Sequence, residues 1–145
     1  MNYESLKLDN QLCFALYACA KEVTKIYKPV LDAFGVTYTQ YITLLVLWEQ
    51  DNLTVKELGK KLHLDSGTLT PLLKKLENIG IVQRVRDTQD ERNVYVKLTD
   101  RGAGMKEEAL EIPTKVFCHT GIPMEEAIAL REQLKILLNN LNERV

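Results

Sequence analysis

The chain has little of what defines several large classes of protein. Its 145 residues include three cysteines, four prolines and one tryptophan, and the formal net charge is −1. Cys13, Cys19 and Cys118 form neither a disulfide framework nor a Cys-x-x-Cys zinc motif. A charge this close to zero excludes binding of nucleic acid through bulk electrostatics alone.

Long apolar runs are also missing. No run approaches the roughly 20 residues that a membrane-spanning helix needs, and the polar start, residues 1–9, does not resemble a signal peptide. We therefore expect a cytoplasmic protein with no membrane partner. His63 and His119 have no further ligands at suitable spacing, so neither a metal site nor a cofactor is predicted.

The stretch from Leu53 to Leu98 predicts a helix, a turn, a second helix and a hairpin. Residues 53–62 and 66–77 each carry apolar side chains at helical spacing, and Gly80 fits the position after a helix end. The two stripes are Val55, Leu58 and Leu62 in the first helix, and Leu69, Leu72, Leu73 and Leu76 in the second. Thr54 and either Asp65 or Ser66 are candidate N-caps, and Pro71 is placed near the first turn.

The hairpin follows at residues 81–86 and 94–98. Val82, Arg84 and Arg86 alternate with Ile81, Gln83 and Val85, and the second run places Val94, Val96 and Leu98 on one face. This order predicts a winged helix-turn-helix in a mainly α protein with a small β-hairpin wing. The whole chain, 1–145, is expected to be one domain, with the DNA-binding lobe at about residues 37–99.

The same stretch supplies the candidate contacts to double-stranded DNA. Short hydroxyl side chains near the start of the second helix can approach base edges, and an arginine at the wing tip can enter a minor groove. The candidates are Asp65, Ser66, Thr68, Thr70, Lys74, Lys75, Arg84, Arg86, Asp90 and Arg92. For the acids at the tip, an ordinary solvated turn is the alternative. The basic excess is small, so it supports DNA binding mainly if two copies act together.

The N-terminal helix carries a candidate reactive thiol. A helix is predicted from Leu8 to Tyr27, capped by Asp9 or Asn10, with a disturbance at Lys28-Pro29 and a continuation at residues 30–34. Cys13 falls near its first turn, where the helix dipole favours a thiolate. On the residues alone, the favoured alternative is that Cys13 is simply a small buried apolar side chain.

Three tyrosines are placed to assist that thiol. Tyr17 follows Cys13 by one turn on the same face, Tyr27 lies further along, and Tyr38 begins the next helix. Phenol hydroxyls that point at a sulfur stabilise its anion. Cys19 lies on another side of the helix and is expected to serve packing.

The C-terminal helix has more apolar surface than a winged-helix core needs. Its broad apolar face runs from Ile128 to Leu141. With the first helix, at about residues 8–34 and 100–143, it predicts a dimerisation region of N- and C-terminal helices. A helical cap packed on a monomer is the alternative.

Several motifs resemble the MarR family of winged-helix repressors, and in particular its OhrR-type, peroxide-sensing subgroup. They are the run from Leu64 to Leu76, Asp90-Glu91-Arg92-Asn93, Leu98-Thr99-Asp100-Arg101-Gly102, and Asn10-Gln11-Leu12-Cys13-Phe14. The resemblance implies a homodimeric repressor on a pseudo-palindromic operator, and not an enzyme. It also implies that an organic hydroperoxide oxidises Cys13 to a sulfenic acid, with Tyr27 and Tyr38, and Tyr17 beside them, contacting it across the dimer.

The resemblance further implies a role for Cys118. In the two-cysteine branch, a cysteine in this region forms an intersubunit disulfide with the oxidised sensor; an external thiol, or an unreactive interface cysteine, is the alternative. Two other functions remain open. One is a MarR-type repressor relieved by a small phenolic ligand. The other is a thiol peroxidase, which fits less well because the Thr-x-x-Cys pattern of peroxiredoxins is missing.

Overall fold

The computed structural model describes residues 1–143; residues 144 and 145, which the predicted domain includes, lie outside the described residues. The seven α-helices found there are α1 Leu12–Phe34, α2 Tyr38–Glu49, α3 Val55–Leu62, α4 Ser66–Asn78, α5 Asp100–Glu108, α6 Ile112–Cys118 and α7 Met124–Asn142. The three strands are β1 Leu53–Thr54, β2 Val82–Arg86 and β3 Val94–Leu98. Short 3-10 turns occupy Glu4–Leu6, Leu8–Asn10 and Ala109–Glu111.

The predicted fold class is confirmed. Helices α3 and α4 form the helix-turn-helix, and β2 and β3 pair antiparallel as the wing. Val82 lies opposite Leu98, and Arg84 lies opposite Val96, so the residues predicted to share a face do share it.

The predicted N-cap of α3, Thr54, is confirmed, but the residues at the start of the predicted run also form a strand that the sequence did not predict. Residues 53 and 54 form the short strand β1, which pairs with Val96 and Tyr95 of β3 in a sheet of order β1-β3-β2. The backbone of Thr54 is extended because this residue is the N-cap of α3, where its hydroxyl accepts a hydrogen bond from the Glu57 amide at 3.1 Å.

The core lies within the winged lobe and under the second half of α1. The predicted α4 stripe is buried, and so is Leu58 of α3. Helix α2 contributes Tyr41, Leu44 and Leu47 to this core. Its N-cap Thr37 forms a capping box with Gln40.

Helix α1 begins later than predicted. Its first residue is Leu12 and not Leu8, and neither Asp9 nor Asn10 caps it. The Asn10 amide instead donates to the carbonyl of Glu4 at 2.7 Å and closes the preceding 3-10 turns. Past Pro29, α1 continues to Phe34 as one assigned helix and stops at Gly35, whose φ of +82° suits glycine.

Among the C-terminal helices, α5 and α6 contribute Met105, Ile112 and Val116 to this core, whereas α7 does not. A 3-10 turn separates α5 from α6, Pro113 lies in the first turn of α6, and α7 begins after Pro123. Within the described chain, no residue of α7 is buried. Its exposed apolar residues include Ile128, Leu130, Leu134, Ile136, Leu138 and Leu141.

Within the described part of the chain, no single helix is both long enough and apolar enough to span a membrane. Only α1 and α2 together reach the required length and apolar content, and their axes bend by 71° between Leu12–Phe34 and Tyr38–Glu49.

Candidate functional site

The start of α4 is organised by Asp65. One carboxylate oxygen of Asp65 accepts a hydrogen bond from the Thr68 amide at 2.7 Å, and this bond holds the pKa of Asp65 below its usual value. Ser66 and Thr68 are exposed beside the cap, and Thr70 is half-buried. Asp65 therefore has a capping role in the structure, and its contact with DNA stays a prediction, as do those of Ser66, Thr68 and Thr70.

Pro71 lies deeper in α4 than expected. It is the sixth residue of the helix, in the second turn, where an ordinary residue would donate to the carbonyl of Gly67. That carbonyl sits on the exposed N-terminal turn, so water can replace the missing donor. The lost helical hydrogen bond is therefore tolerated here.

Basic side chains from three elements line one cleft between α4 and the wing. This cleft has a volume of about 310 Å³, and its lining includes Thr70, Arg84, Arg86 and Arg92. Lys56 of α3 completes the basic lining. The sequence-based candidates omitted Lys56, although its place in the first turn of α3 was a usable signal. Lys74 and Lys75 are exposed on α4.

Acidic groups orient the arginines at the wing tip. The Arg92 guanidinium donates from Nε and Nη2 to the two carboxylate oxygens of Asp90, each at 3.0 Å, and the pair holds the pKa of Asp90 below its usual value. Arg86 donates to the carbonyl of Glu91. The side chain of Arg92 remains 90% exposed. The carboxylate of Asp90 therefore orients an arginine side chain that still faces solvent. The alternative given for the acids at the tip was an ordinary solvated turn, without such a role.

Arg84 occupies a different environment. Its guanidinium donates to one carboxylate oxygen of Glu77 at 3.0 Å, and its backbone amide donates to the other, also at 3.0 Å. The side chain is 24% exposed. Arg84 therefore fastens β2 to the end of α4, and its predicted contact with DNA stays a prediction.

A second set of bonds joins the end of α4 to α5. The Thr99 hydroxyl donates to the carbonyl of Gly80 at 2.6 Å, and Arg101 donates to the carbonyl of Ile79 at 2.6 Å. Trp48 of α2 donates from Nε1 to the carbonyl of Gly102 at 2.9 Å. These bonds fix the residues before the wing to α5, and they fix α5 to α2.

The thiol and the tyrosines occupy the other side of the chain. Cys13 is the second residue of α1 and is exposed, one turn before Tyr17. Tyr17, Tyr27 and Tyr38 line one cavity of about 700 Å³ along α1 and the start of α2, and the rings of Tyr27 and Tyr38 are 4.8 Å apart. Cys13 is not among the described residues that line this cavity. A single chain therefore brings the three tyrosines together but leaves the thiol outside.

Burial makes two neighbouring phenols weaker acids, that of Tyr27 at this cavity and that of Tyr41 in the core. Desolvation, followed by the neighbouring Tyr38, raises the pKa of Tyr27, and desolvation followed by Tyr27 and Tyr38 raises the pKa of Tyr41 to about 12. Both groups therefore stay protonated as hydrogen-bond donors. Tyr41 does not line the cavity; its ring packs 5.8 Å from that of Tyr27.

The remaining cysteines are exposed as well. Cys118 is the last residue of α6, and Cys19 lies on the exposed half of α1. Because Cys19 is exposed in the single chain, its packing role stays a prediction.

Comparison with known proteins identifies the family. Residues 25–109 match the family described as transcriptional regulator SarA/Rot. The chain is 46% identical over 142 residues to the organic hydroperoxide resistance transcriptional regulator of Bacillus subtilis (strain 168), covering 98% of this chain and 97% of that protein.

Solved structures give the same result. The structure of reduced AbfR bound to DNA has a TM-score of 0.80 and 38% identity, covering 97% of this chain and 99% of that one. The structure of disulfide-formed AbfR has a TM-score of 0.67 and 38% identity, covering 93% and 95%; AbfR is a protein of Staphylococcus epidermidis. The chain belongs to the MarR-type winged-helix transcriptional regulators, in the group of organic hydroperoxide resistance regulators.

Proposed function

We propose that this protein is a homodimeric repressor that binds double-stranded operator DNA when reduced and releases it when an organic hydroperoxide oxidises Cys13. The observation that carries the proposal is the pairing, in one chain, of a basic cleft between α4 and the wing with Cys13 beside a tyrosine-lined cavity.

The DNA contacts follow from the lobe at about residues 37–99. The exposed start of α4 enters the major groove through Ser66 and Thr68, and Arg92, oriented by Asp90, enters the adjacent minor groove. Lys74, Lys75 and Arg86 are placed to contact phosphates.

A second copy of the chain completes the molecule. The exposed apolar side chains of α7 and of the start of α1 form a face that water disfavours and that a second copy would bury. The dimerisation region then comprises residues 8–34 and 100–143. Two copies of α4, about 34–36 Å apart, match the half-sites of a pseudo-palindrome.

The sensing step uses the thiolate of Cys13. At the start of α1 the helix dipole stabilises this anion, and the phenol hydroxyls of Tyr27 and Tyr38 donate to it across the dimer, with Tyr17 beside them. The sulfur attacks the terminal oxygen of the hydroperoxide. An S–O bond forms and the O–O bond breaks, so that sulfur is oxidised by two electrons and the peroxide leaves as an alkoxide that takes a proton to become the alcohol.

Cys118 of the partner completes the switch. Its thiolate attacks the sulfenic sulfur, an S–S bond forms, and hydroxide leaves and is protonated to water. The disulfide moves the helices that carry it and changes the spacing of the two α4 helices. The higher TM-score to the reduced, DNA-bound AbfR than to the disulfide form is consistent with a chain in its DNA-binding conformation.

A gel shift on the duplex upstream of the protein's own gene tests the proposal. Reduced protein is treated with about one equivalent of an organic hydroperoxide, and the same samples run on a non-reducing denaturing gel. Release with a covalent dimer is expected for the native protein, release without the dimer for Cys118→Ser, and retention for Cys13→Ser. Release from Cys13→Ser would contradict the sensor assignment.

One further function has an observation in its favour. The cavity of about 700 Å³ has a mostly apolar lining and a size suited to a small phenolic ligand. A phenol that releases DNA equally from native and Cys13→Ser protein would favour this function over sensing. A thiol peroxidase has less support, because the proteins that this chain resembles are transcriptional regulators.

A further inference from the structure

A cleft of about 1060 Å³ lies against α3, the turn that leads to α4 and the wing, and we call it the α3 cleft. The charged residues that line it are Lys56, Lys60, Asp65 and Arg92. It shares Lys56 and Arg92 with the basic cleft between α4 and the wing, so the two clefts form one continuous surface. Three cations face one carboxylate here, and that carboxylate already accepts the Thr68 amide. The α3 cleft therefore suits an anionic group such as a DNA phosphate.

His63 lines the α3 cleft from the turn between α3 and α4. The residue is exposed, and its backbone has a φ of +55°. Glycine is the usual residue at such a position after a helix, because it has no Cβ to crowd the backbone. The turn itself is held by the Leu64 amide, which donates to the carbonyl of Gly59 at 3.0 Å. An imidazole thus occupies a position that glycine would fit at lower cost, and this favours a functional role for the side chain.

The chemistry of that role follows from the imidazole. Histidine is the side chain that ordinarily gains or loses its charge between about pH 5 and 8. Its protonated ring donates charge-assisted hydrogen bonds, and a phosphate oxygen is a strong acceptor for them. The other histidine of the chain, His119, lies past the end of α6, where its Nδ1 is 2.7 Å from the carbonyl oxygen of Lys115. Proton uptake by a histidine at the α3 cleft therefore concerns His63 alone.

We propose that His63 binds a DNA phosphate from the turn of the helix-turn-helix, and that protonation of its imidazole strengthens DNA binding by the reduced protein as the pH falls from 8 to 6. This rests on the proposed binding of operator DNA and adds a proton-linked contact to it. The charges that face the imidazole come from α3, from the turn and from the wing. They belong to Lys56, Lys60, Asp65 and Arg92, while α7 contributes the uncharged Asn142.

The proton on His63 is the charge at the α3 cleft that changes in this range. Lysine, arginine and aspartate side chains ordinarily keep their charges between pH 6 and 8. For Asp65, the hydrogen bond from the Thr68 amide also holds the pKa below its usual value, so its carboxylate stays ionised. A phosphate that approaches the imidazole favours the protonated form, so DNA binding and proton uptake strengthen each other.

Fluorescence anisotropy of the full-length reduced protein on an operator duplex tests the proposal at pH 6 and pH 8 with constant ionic strength. We expect the two copies of His63 in a dimer to tighten native binding by about three- to tenfold at pH 6. His63→Asn should lose this gain, because asparagine tolerates a positive φ and keeps a hydrogen-bond donor but cannot take a proton. Thiols and the terminal amine also titrate in this range, and they are the same in the variant.

Three further variants separate the charge of His63 from other causes. His119→Asn is the matched control and should keep the native ratio of affinities at the two pH values. His63→Lys carries a fixed charge, so it should bind at pH 8 about as tightly as the native protein does at pH 6. His63→Gly should unfold in urea at a midpoint equal to or above the native one, which would show that the imidazole is not needed to form the turn.

The salt dependence identifies the group that His63 contacts. One additional phosphate contact in each of two copies should steepen the slope of log affinity against log salt by up to about two between pH 8 and pH 6. His63→Asn should show equal slopes at the two pH values. An unrelated duplex should show the same fold gain as the operator, because phosphates carry no sequence information.

The outcomes separate this inference from the function on which it rests. If the reduced protein binds the operator at neither pH, the proposed DNA-binding function fails. If it binds but His63→Asn keeps the native ratio, or loses affinity equally at both pH values, DNA binding stands and the proton-linked contact is overturned. A gain confined to the operator would overturn the assignment of the contact to phosphate.

Discussion

The winged lobe and the terminal helices differ in how much of their apolar surface is buried within one chain. In the lobe, Leu58, Leu69 and Leu73 are inaccessible to solvent, and side chains such as Glu77 and Thr99 complete its hydrogen bonds. In α7 and the first half of α1, apolar side chains such as Leu12 and Leu134 remain exposed.

This difference separates a part that is buried within one chain from a part that the proposed dimer would bury. The core of the lobe continues into the second half of α1, α5 and α6 through Leu31, Met105 and Ile112, so only α7 and the first half of α1 can change their contacts without exposing it. Under the proposed mechanism, an oxidation at the start of α1 can therefore alter the spacing of two intact lobes without unfolding either. Such a rigid-body change suits a reversible switch.

Truncation of a core leucine should give the largest effect and test the separation directly. Leu73→Ala removes a side chain with 0% exposure, so we expect the free energy of unfolding to fall by about 2–5 kcal/mol. The dimer dissociation constant should stay near the native value. Urea unfolding and sedimentation velocity measure the two quantities.

The matched truncation in α7 should show the reverse. Leu134→Ala should weaken the dimer while leaving the unfolding of the separated chain nearly unchanged, because Leu134 is 39% exposed in that chain. If Leu134→Ala destabilises the chain as much as Leu73→Ala does, the division into a complete lobe and incomplete terminal helices is wrong.

The junction between the lobe and α5 should be nearly as sensitive. A Cβ at Gly102 would overlap the carbonyl oxygen of Ile81, so Gly102→Ala must displace backbone and should cost about 1–3 kcal/mol. Gly104→Ala, on the same helix with nothing within 4 Å, is the control and should stabilise by about 0.5–1 kcal/mol. Thermal unfolding of both variants checks this; equal effects would mean that the close approach can relax.

Most of the lobe was predictable because its signals are local. The α3 and α4 stripes, the Asp65 cap and the alternation of the hairpin each depend on residues a few positions apart. The strand β1 was missed because its pairing with Val96 links positions that are distant in the sequence. The start of α1 was also wrong, because Asn10 and Gln11 bond backward to the 3-10 turns and not forward to the helix.

The candidate site was predictable in its residue types but not in its pairings. The pattern placed Arg84 and Arg92 together as DNA contacts, yet Glu77 binds Arg84 across the base of the wing while Asp90 orients Arg92 at the tip. No sequence periodicity distinguishes an arginine bound at the base of the wing from an arginine oriented at its tip. The cavity shared by Tyr17, Tyr27 and Tyr38 likewise required the fold, because α1 and α2 must turn to bring the rings together.

The ion pair between Glu77 and Arg84 should give a smaller, pH-dependent effect on the lobe. Hydrogen bonds from the Arg84 backbone and side chain lower the pKa of Glu77 from 4.5 in the folded state. The stabilisation is therefore full above pH 4.5 and is lost as the pH falls through the lowered value. Glu77→Gln should cost up to about 1 kcal/mol at neutral pH and progressively less in acid.

Urea unfolding at several pH values measures that difference. Glu107→Gln is the control, since Glu107 is exposed on α5 and has no ion pair among the described residues; it should match the native protein throughout. A cost for Glu77→Gln that does not shrink in acid would show that the side chain acts through packing and not through its charge.

The smallest expected effect concerns the wing tip, where a change leaves the lobe intact and alters only its fit to DNA. Asp90→Asn removes one negative charge, which favours any duplex slightly, but it also weakens the two bonds that orient Arg92. We expect affinity for unrelated DNA to stay level or rise and the preference for the operator to fall by about two- to fivefold.

Asp87→Asn is the control, because the Asp87 carboxylate accepts a hydrogen bond from the Gln89 amide and not from an arginine. Fluorescence anisotropy on both duplexes at two salt concentrations decides the matter: if both variants lower the preference equally, the charge of the tip matters and the orientation of Arg92 does not.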